Sequence, residues 1–209
     1  MSLIFYRAPM STATVIDMVL AELDVPFEAV TLDIRKGDTK KPEFLKVNPN
    51  GKVPAIVHDG VVIWESVAIT MYLGETFGVE KKLYPAPGPK RGEAMKWIAW
   101  TNVSLGGVVG RFAQNTMEWY PAEQHNAKAA ESARKEIDDH LRILNGALEG
   151  RQFLCGDYTL ADTHLNSFVD WVRMMKIDLT PFPHLMAWGE RCCARPAYVK
   201  VMSQAAQPH

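Results

Sequence analysis

The chain has 209 residues, enough for one large domain or two small ones. With 23 basic against 24 acidic side chains and a formal net charge of -1, it has no global field that would gather nucleic acid or an anionic membrane, and we expect neither as a partner. No apolar run approaches the roughly 20 residues that cross a bilayer, and the N-terminal segment breaks at Arg7 and Pro9 before a signal-type stretch develops. These features favour a cytoplasmic globular protein.

The first thirty residues predict a strand, a helix and a second strand. Residues 3–6 are apolar and aromatic, residues 13–23 have an amphipathic helical pattern, and residues 27–32 alternate like a strand. A βαβ unit of this kind places its two strands parallel, with a right-handed crossover.

A hairpin and another helix follow. In AIVHDGVVIW, residues 55–64, two apolar runs flank Asp59-Gly60, a dipeptide suited to a tight turn in which both central residues have positive φ. The next apolar positions repeat at helical spacing, at Ile69, Tyr72, Leu73 and Phe77. Residues 1–78 therefore predict a small α/β domain with the order β-α-β-β-α.

The remainder predicts a linker and an all-helical domain. Residues 78–90 contain three prolines and two glycines, which disfavours a regular element, so we place a linker at 79–90. Residues 91–209 are nearly all helical by period. Thr159 and Asp162 are spaced as a capping box that begins a helix. An amphipathic stripe consists of Ile137, Leu141, Leu144 and Leu148.

The cysteines and histidines show no pattern typical of a metal site or a disulfide scaffold. The three cysteines, an odd number, lie in the last third of the chain and form no CxxC motif, and the histidines form no HxxxH or HExxH pair. We therefore expect no metal, and we interpret Cys155, Cys192 and Cys193 as free thiols buried in helices.

The order β-α-β-β-α is that of a thioredoxin-like domain, whose reactive corner is the N-terminus of its first helix. The helix dipole and unpaired amides there stabilise an anion, in particular a thiolate. A disulfide oxidoreductase would carry CxxC at this corner, whereas this chain has Pro9, Met10, Ser11 and Thr12, and no cysteine before residue 155. A dithiol mechanism is therefore excluded at this corner, and a thiolate held there must come from a ligand.

Two further segments could complete a ligand site. A cis bond between Val53 and Pro54 would turn the Val53 backbone toward the reactive corner to pair with a peptide-like ligand, although a proline at a strand start can also serve only to block an edge. Glu65 and Ser66 precede a helix. They fit simple helix capping, or a pair in which Ser66 binds a ligand carboxylate and Glu65 binds an ammonium group.

Together these segments resemble the cytosolic glutathione transferases over nearly the whole chain. The resemblance rests on PMSTAT (residues 9–14), NPNGKVPAI (48–56), WESVAI (64–69) and TLADTH (159–164), in the family's order and spacing, and Arg195-Pro196 is similar to its closing segment. It implies a homodimeric enzyme with a thioredoxin-like glutathione-binding domain and an all-helical domain lining an apolar pocket.

The reactive corner is similar to the serine-type pattern of bacterial, phi-like and theta-like members, which puts Ser11 at the catalytic position. Thr12, Tyr6 and plain capping by Ser11 stay open as alternatives. One hydroxyl hydrogen bond to a charged group contributes about 1.5 to 3 kcal/mol, and a helix N-terminus adds roughly 0.3 to 1. Together these are sufficient to lower a thiol pKa by two units, which requires about 2.7 kcal/mol.

The resemblance also implies how glutathione is held as co-substrate. Glu65 and Ser66 take its γ-glutamyl end, while Val53, ahead of Pro54, pairs its backbone with the cysteinyl unit.

Lys40 and Lys52 meet the glycyl carboxylate, although serine-type relatives often have a histidine where this chain has Thr39. The resemblance builds the acceptor pocket from the loop after the first strand and the first long helix of the second domain. Its candidate residues are Pro9, Met10, Trp100, Arg111 and Phe112.

The expected function is attack of the glutathione thiolate on the electrophilic carbon of a small apolar acceptor. A glutathione-dependent isomerase, dehalogenase or peroxidase would use the same site. A non-catalytic ligand-binding or interaction protein on the same fold is a further alternative. The presence of Ser11, Pro54, Glu65 and Ser66 together favours the enzyme, because a protein that had lost its catalytic function would not need all four residues.

Overall fold

A four-stranded mixed sheet forms the first part of the molecule. In a computed structural model that describes residues 2–205, the spatial strand order is β2-β1-β3-β4. The strands are β1 (Leu3–Arg7), β2 (Glu28–Thr31), β3 (Ala55–His58) and β4 (Val61–Trp64). β1 pairs parallel with β2 and antiparallel with β3, and β3 pairs antiparallel with β4. The predicted βαβ unit and hairpin are confirmed, with Asp59 and Gly60 at φ values of 46° and 85°.

Three helices accompany this sheet: α1 (Thr14–Leu23), α2 (Pro42–Leu45) and α3 (Ser66–Leu73). A 3-10 turn covers Asp38–Lys40, and a π-helical turn, Gly74–Gly78, extends α3. α1 and α3 bury apolar faces together with the sheet, and full burial of each such side chain contributes about 1.5 to 3 kcal/mol. The fully buried side chains include Phe5, Ile16, Leu20, Ile56, Ile69 and Leu73.

The second part is all-helical. It comprises α4 (Pro89–Trp100), α5 (Gly107–Thr116), α6 (Ala127–Ala147), α7 (Leu160–Met174) and α8 (Pro183–Cys193), with a π-helical stretch, Thr101–Gly106, joining α4 to α5. The predicted amphipathic stripe is buried on α6 at Ile137, Leu141 and Leu144, and just beyond its end at Leu148. None of the helices described between residues 2 and 205 is long and apolar enough to cross a membrane.

The predicted capping box begins α7 and is confirmed. Thr159 and Asp162 make the two reciprocal contacts of the motif, and every residue from 160 to 169 is buried. The Asp162 carboxylate accepts hydrogen bonds at 2.9 Å from the Leu154 amide, the Thr159 amide and Trp188 Nε1. Burial raises the pKa of Asp162, and these hydrogen bonds oppose the rise. Asp162 therefore ties α7, α8 and the preceding loop together.

The three cysteines are free, but they do not all lie in helices. Cys192 and Cys193 belong to α8; Cys192 is buried as expected, whereas Cys193 is only half-buried. Cys155 is half-buried in a short bridged loop, residues 153–157, so the expectation of a buried helical thiol was wrong for this residue. The glycine after it, Gly156, has a φ of 89°, and such a conformation interrupts a helix.

The chain folds into two compact units, and the first unit is discontinuous in sequence. It runs to Arg91 and resumes at Arg195, while the second covers Gly92–Ala194. The last helix, α9 (Pro196–Ala205), packs on α1. Arg195 donates two hydrogen bonds to the Glu22 carboxylate, at 2.5 and 2.7 Å. The functional domain limits at 1–78, 79–90 and 91–209 stay predictions.

Candidate functional site

The turn that enters α1 carries the first group of candidate residues. Met10 has a φ of 52°, a left-handed conformation that costs a non-glycine residue of order 1 kcal/mol or more. The Ser11 hydroxyl that follows donates to the Ala8 carbonyl at 2.7 Å and accepts from the Ala13 amide at 3.2 Å. The Thr14 amide bonds to the Ser11 carbonyl at 3.2 Å, so this turn runs directly into the helix. Ser11 thus bridges the turn that leads into α1, whose N-cap residue is Ala13, and its hydroxyl proton points at the Ala8 carbonyl.

Thr12 connects this turn to the second candidate segment. Its hydroxyl donates to the Val53 carbonyl at 3.3 Å, across 41 positions of sequence. Val53 is only 8% exposed, and the bond between Val53 and Pro54 is cis, as predicted. The structure therefore brings the Ser11 turn and the Val53 backbone together at the N-terminus of α1.

A network of side chains holds the loop before Val53. Asn48 is 3% exposed, its Nδ2 donates to the Lys52 carbonyl at 2.6 Å, and its Oδ1 accepts from the Asn50 amide at 3.0 Å. Sequence reasoning missed Asn48. The available signal was its position at the start of Asn48-Pro49-Asn50-Gly51, because asparagine side chains in such turns commonly bind a backbone amide two residues on.

Lys40 lies over the same loop. Its Nζ donates to the Gly51 carbonyl at 3.1 Å. Gly51 has a φ of 59°, and a Cβ there would lie 2.7 Å from Lys40 Nζ and 2.8 Å from the Thr39 carbonyl oxygen, so only glycine fits. Lys52 is exposed and follows directly in sequence, so both predicted lysines belong to this loop region. Thr39 is buried.

Glu65 and Ser66 begin α3, as the sequence predicts. Glu65 is exposed and has φ 72° and ψ 119°, while its carbonyl accepts from the Ile69 amide at 2.9 Å. Ser66 is 3% exposed. Non-glycine residues in strained backbone conformations persist only where the surrounding structure holds them, and they are found most often at active sites and ligand sites. Met10 and Glu65 both have positive φ; Met10 directly precedes Ser11 in the turn before α1, and Glu65 directly precedes Ser66, the first residue of α3.

The remaining candidates have defined neighbours within their own units. The Tyr6 ring lies 5.7 Å from that of Phe44, measured between centroids. Pro9 and Met10 are exposed in the first unit.

In the second unit the Trp100 ring lies 5.4 Å from that of Trp97 and 5.5 Å from His140 on α6. Arg111 Nη2 donates to Glu136 Oε2 at 2.5 Å, and Phe112 is half-buried. Trp100 and Arg111 therefore both contact α6.

The chain's own cysteines have elevated pKa values where a shift is resolved. Burial, reinforced by the negative charge of Asp162, raises the pKa of Cys155 to about 11, and burial also raises that of Cys192. These two thiols are protonated at neutral pH and are poor nucleophiles. Within residues 2–205, no group of three or more His, Cys, Asp and Glu side chains is arranged to hold a metal ion.

Comparison with known proteins identifies the family. The models "Glutathione S-transferase, N-terminal domain" and "Glutathione S-transferase, C-terminal domain" match residues 1–75 and 111–196. The chain is 32% identical over 209 residues to the disulfide-bond oxidoreductase YfcG of Escherichia coli K12, which covers 96% of this chain and 94% of the relative. It is 30% identical over 188 residues to the glutathione S-transferase GstB of the same strain, and this match covers 88% of this chain and 89% of the relative.

A solved structure agrees with this result. The glutathione transferase URE2P6 from Phanerochaete chrysosporium, in complex with oxidized glutathione, superposes with a TM-score of 0.90 at 28% identity, covering 98% of this chain and 96% of the other. The chain belongs to the glutathione S-transferase family, whose co-substrate is glutathione. The expected thioredoxin-like α/β domain and helical domain are confirmed.

Proposed function

We propose that this enzyme conjugates the glutathione thiolate to small apolar electrophiles. The observation that carries the proposal is the contact between Thr12 and the Val53 carbonyl, because it joins the hydroxyl-bearing turn at the N-terminus of α1 to a backbone segment suited to a peptide ligand. Cys155 and Cys192 are protonated at neutral pH, and all three cysteines belong to the second unit, which supports glutathione as the source of the reacting sulfur.

Ser11 is the proposed catalytic residue, on the serine-type pattern. When the thiolate forms, the Ser11 hydroxyl exchanges its bond to the Ala8 carbonyl for one to the sulfur, while the Ala13 amide continues to donate to Ser11 Oγ. That amide makes the hydroxyl a better donor, since hydrogen bonds in a chain polarise one another. The positive end of the α1 dipole adds to the stabilisation of the anion.

The proposed contacts to the rest of glutathione follow its charges. The Val53 backbone, ahead of Pro54, pairs with the cysteinyl unit. The ammonium group of the γ-glutamyl end meets Glu65, which is exposed, and its carboxylate meets Ser66 and the first amides of α3.

The glycyl carboxylate meets Lys40 and Lys52. Lys40 Nζ already lies at the Gly51 carbonyl, which supports this placement. Because the Thr39 side chain is buried, we do not assign it a contact with the ligand.

In the reaction, the glutathione sulfur forms a bond to the electrophilic carbon of the acceptor as the leaving group departs with its electron pair. The proposed acceptor pocket uses Pro9, Met10, Trp100, Arg111 and Phe112. Orientation of the acceptor against the thiolate would supply most of the remaining rate enhancement.

Thiol–disulfide exchange is a second candidate function, favoured by the 32% identity to a relative named a disulfide-bond oxidoreductase. The chain has no cysteine at the reactive corner, so both reducing thiols would come from glutathione. One glutathione thiolate attacks the disulfide and releases a substrate thiolate. A second attacks the mixed disulfide, which yields oxidised glutathione and the other substrate thiol.

We also propose that the enzyme is a cytoplasmic homodimer. The edge strand β4 supports dimerisation, because Val61, Val62 and Trp64 are 62%, 39% and 39% exposed on an otherwise uncovered sheet edge. Exposed apolar edges are usually covered by a partner.

The decisive experiment combines calorimetric titration with glutathione and an activity panel. The panel contains halogenated nitroarenes, alkyl halides, epoxides, hydroperoxides, isomerisable substrates and a low-molecular-weight disulfide. We expect binding, and the highest turnover with a nitroarene or alkyl halide. Turnover of the disulfide alone would select thiol–disulfide exchange. Binding without turnover would indicate a ligand-binding protein, and the absence of binding at millimolar glutathione would refute the proposed function.

A further inference from the structure

Three consecutive carbonyl groups ahead of Pro54 are each held by a side chain from another part of the first unit. Side-chain donors orient a backbone segment by fixing the planes of its peptide groups. The bonds are Lys40 Nζ to Gly51 O (3.1 Å), Asn48 Nδ2 to Lys52 O (2.6 Å) and Thr12 Oγ1 to Val53 O (3.3 Å).

These bonds determine where the Val53 amide points. Among the described peptide bonds, Val53-Pro54 is the cis one, so the peptide between Lys52 and Val53 is trans. In a trans peptide, the carbonyl and the N–H point in opposite directions. The bond from Asn48 to the Lys52 carbonyl therefore turns the Val53 N–H away from Asn48, and the bond from Thr12 holds the Val53 carbonyl. Both backbone groups of Val53 are thus oriented.

Asn48 is itself fixed in orientation. It is 3% exposed, and its two side-chain atoms have different partners: Nδ2 donates to the Lys52 carbonyl, while Oδ1 accepts from the Asn50 amide and from Asn50 Nδ2, both at 3.0 Å. A rotated amide would place a donor against a donor and an acceptor against an acceptor. This buried side chain can therefore act as a rigid support.

We propose that Asn48 and Thr12 are positioning residues of the glutathione site, which hold the Val53 backbone in the orientation that pairs with the cysteinyl unit. The inference rests on the proposed glutathione site and adds two residues to it. Both act through Val53 and not on the sulfur. Their loss therefore weakens glutathione binding and raises KM for glutathione, while the pKa of the bound thiol and kcat at saturating glutathione change little.

Two substitutions test the inference from opposite sides of Val53. Asn48→Asp keeps the shape and the acceptor for the Asn50 amide, but it replaces the donor with an oxygen that faces the Lys52 carbonyl. Thr12→Val removes the hydroxyl without changing charge. Lys46→Gln, at an exposed position two residues before Asn48, is the control that lowers the local charge by the same one unit, and Thr12→Ser is the control that keeps the hydroxyl.

The measurements are the calorimetric Kd for glutathione, KM, kcat and the pH titration of the bound thiol. We expect Asn48→Asp to weaken binding about tenfold, equivalent to about 1.4 kcal/mol. Thr12→Val should weaken it roughly three- to tenfold. Lys46→Gln and Thr12→Ser should stay within about twofold of the wild type, since both variants keep the hydrogen bonds to the Lys52 and Val53 carbonyls.

Each adverse outcome has a separate meaning. If the wild type binds glutathione and Thr12→Val binds it equally well, the inference is overturned even if Asn48→Asp fails to fold. An increase in the thiol pKa in Thr12→Val would make Thr12 a catalytic residue and overturn its positioning role. Equal weakening by Asn48→Asp and Lys46→Gln would assign the effect to charge and overturn the role of Asn48. Failure of the wild type to bind glutathione would instead refute the proposed function.

Discussion

Replacing Ser11 with alanine should raise the pKa of bound glutathione, and the magnitude follows from the contacts of the lost hydroxyl. Ser11 Oγ donates to the Ala8 carbonyl at 2.7 Å, so it must give up this bond to reach a thiolate. A bond to a charged group contributes about 1.5 to 3 kcal/mol and a neutral one about 0.5 to 1.5, which leaves a difference of about 1 to 1.5 kcal/mol. Since one pKa unit corresponds to about 1.36 kcal/mol, the expected rise is about one unit.

The assay is a pH titration of the ultraviolet absorbance of the bound thiolate, with the conjugation rate measured over the same range. Below both pKa values, the thiolate fraction and the rate should be about tenfold lower in Ser11→Ala. Above both, the rates should converge, and the Kd of protonated glutathione should change little. Because the Ser11 hydroxyl also bonds the Ala8 carbonyl and the Ala13 amide in the turn before α1, the variant should lose about 1 kcal/mol of unfolding free energy in urea.

Thr12→Val and Tyr6→Phe are the matched controls for this prediction. Each removes one hydroxyl near the reactive corner and preserves the Ser11 turn. If either of them raises the thiol pKa while Ser11→Ala leaves it unchanged, the catalytic role belongs to that residue. Ser11 would then have only a structural role, through its hydrogen bonds to Ala8 and Ala13 in the turn before α1.

Three further predictions concern glutathione binding, the stability of the helical unit and the proposed dimer. Glu65→Gln should weaken glutathione binding about tenfold in calorimetry, because it removes the charge partner of the ammonium group; unchanged binding would place that group elsewhere. Burial lowers the pKa of His164 to about 3, below its unfolded value near 6.5, so the neutral form contributes stability above pH 6.5 that is lost as pH falls. Below pH 6, the unfolding free energy of His164→Gln in urea should therefore change with pH less steeply than that of the wild type, by up to about 1.4 kcal/mol per pH unit. An identical slope in the two proteins would contradict this assignment. Val61→Lys should shift sedimentation toward the monomer, whereas an unaffected dimer would exclude β4 from the interface.

The secondary structure of the first unit was largely predictable because local signals agreed with the fold. Apolar runs defined β1 and β3, and Asp59-Gly60 fixed the hairpin through a turn that needs positive φ at both positions. The capping box likewise located the start of α7 in the second unit. In these segments a few neighbouring residues determine the backbone, so the sequence pattern alone is sufficient.

Other features depend on contacts between distant residues and have no local pattern. The π-helical stretches Gly74–Gly78 and Thr101–Gly106 continue ordinary helical sequence, and each contains a glycine against which a distant ring packs: a Cβ at Gly74 would lie 2.7 Å from Tyr84, and one at Gly106 2.7 Å from Phe168. The association of α9 with α1 is equally invisible to periodicity.

The candidate site divides in the same way. Ser11, Glu65 and Ser66 could be chosen as site candidates from the sequence, because each lies close to the predicted start of a helix. The bond from Thr12 to Val53 joins residues 41 positions apart, and the support from Asn48 depends on its burial. The Thr12 bond cannot be inferred from the sequence without the fold, because it depends on how two distant segments approach each other. For Asn48 the turn sequence carries a local signal, but its burial and its bond to the Lys52 carbonyl become visible only in the structure.

The return of the chain to the first unit has a consequence for synthesis. At translation rates of roughly 5 to 20 residues per second, residues 92–194 take roughly 5 to 20 seconds to emerge. During that interval α1 and Glu22 have left the ribosome, but Arg195 and α9, which pack against them, have not yet been made. Completion of the first unit thus waits for the last helix, and a premature stop before Arg195 would damage this unit while leaving residues 1–75 intact in sequence.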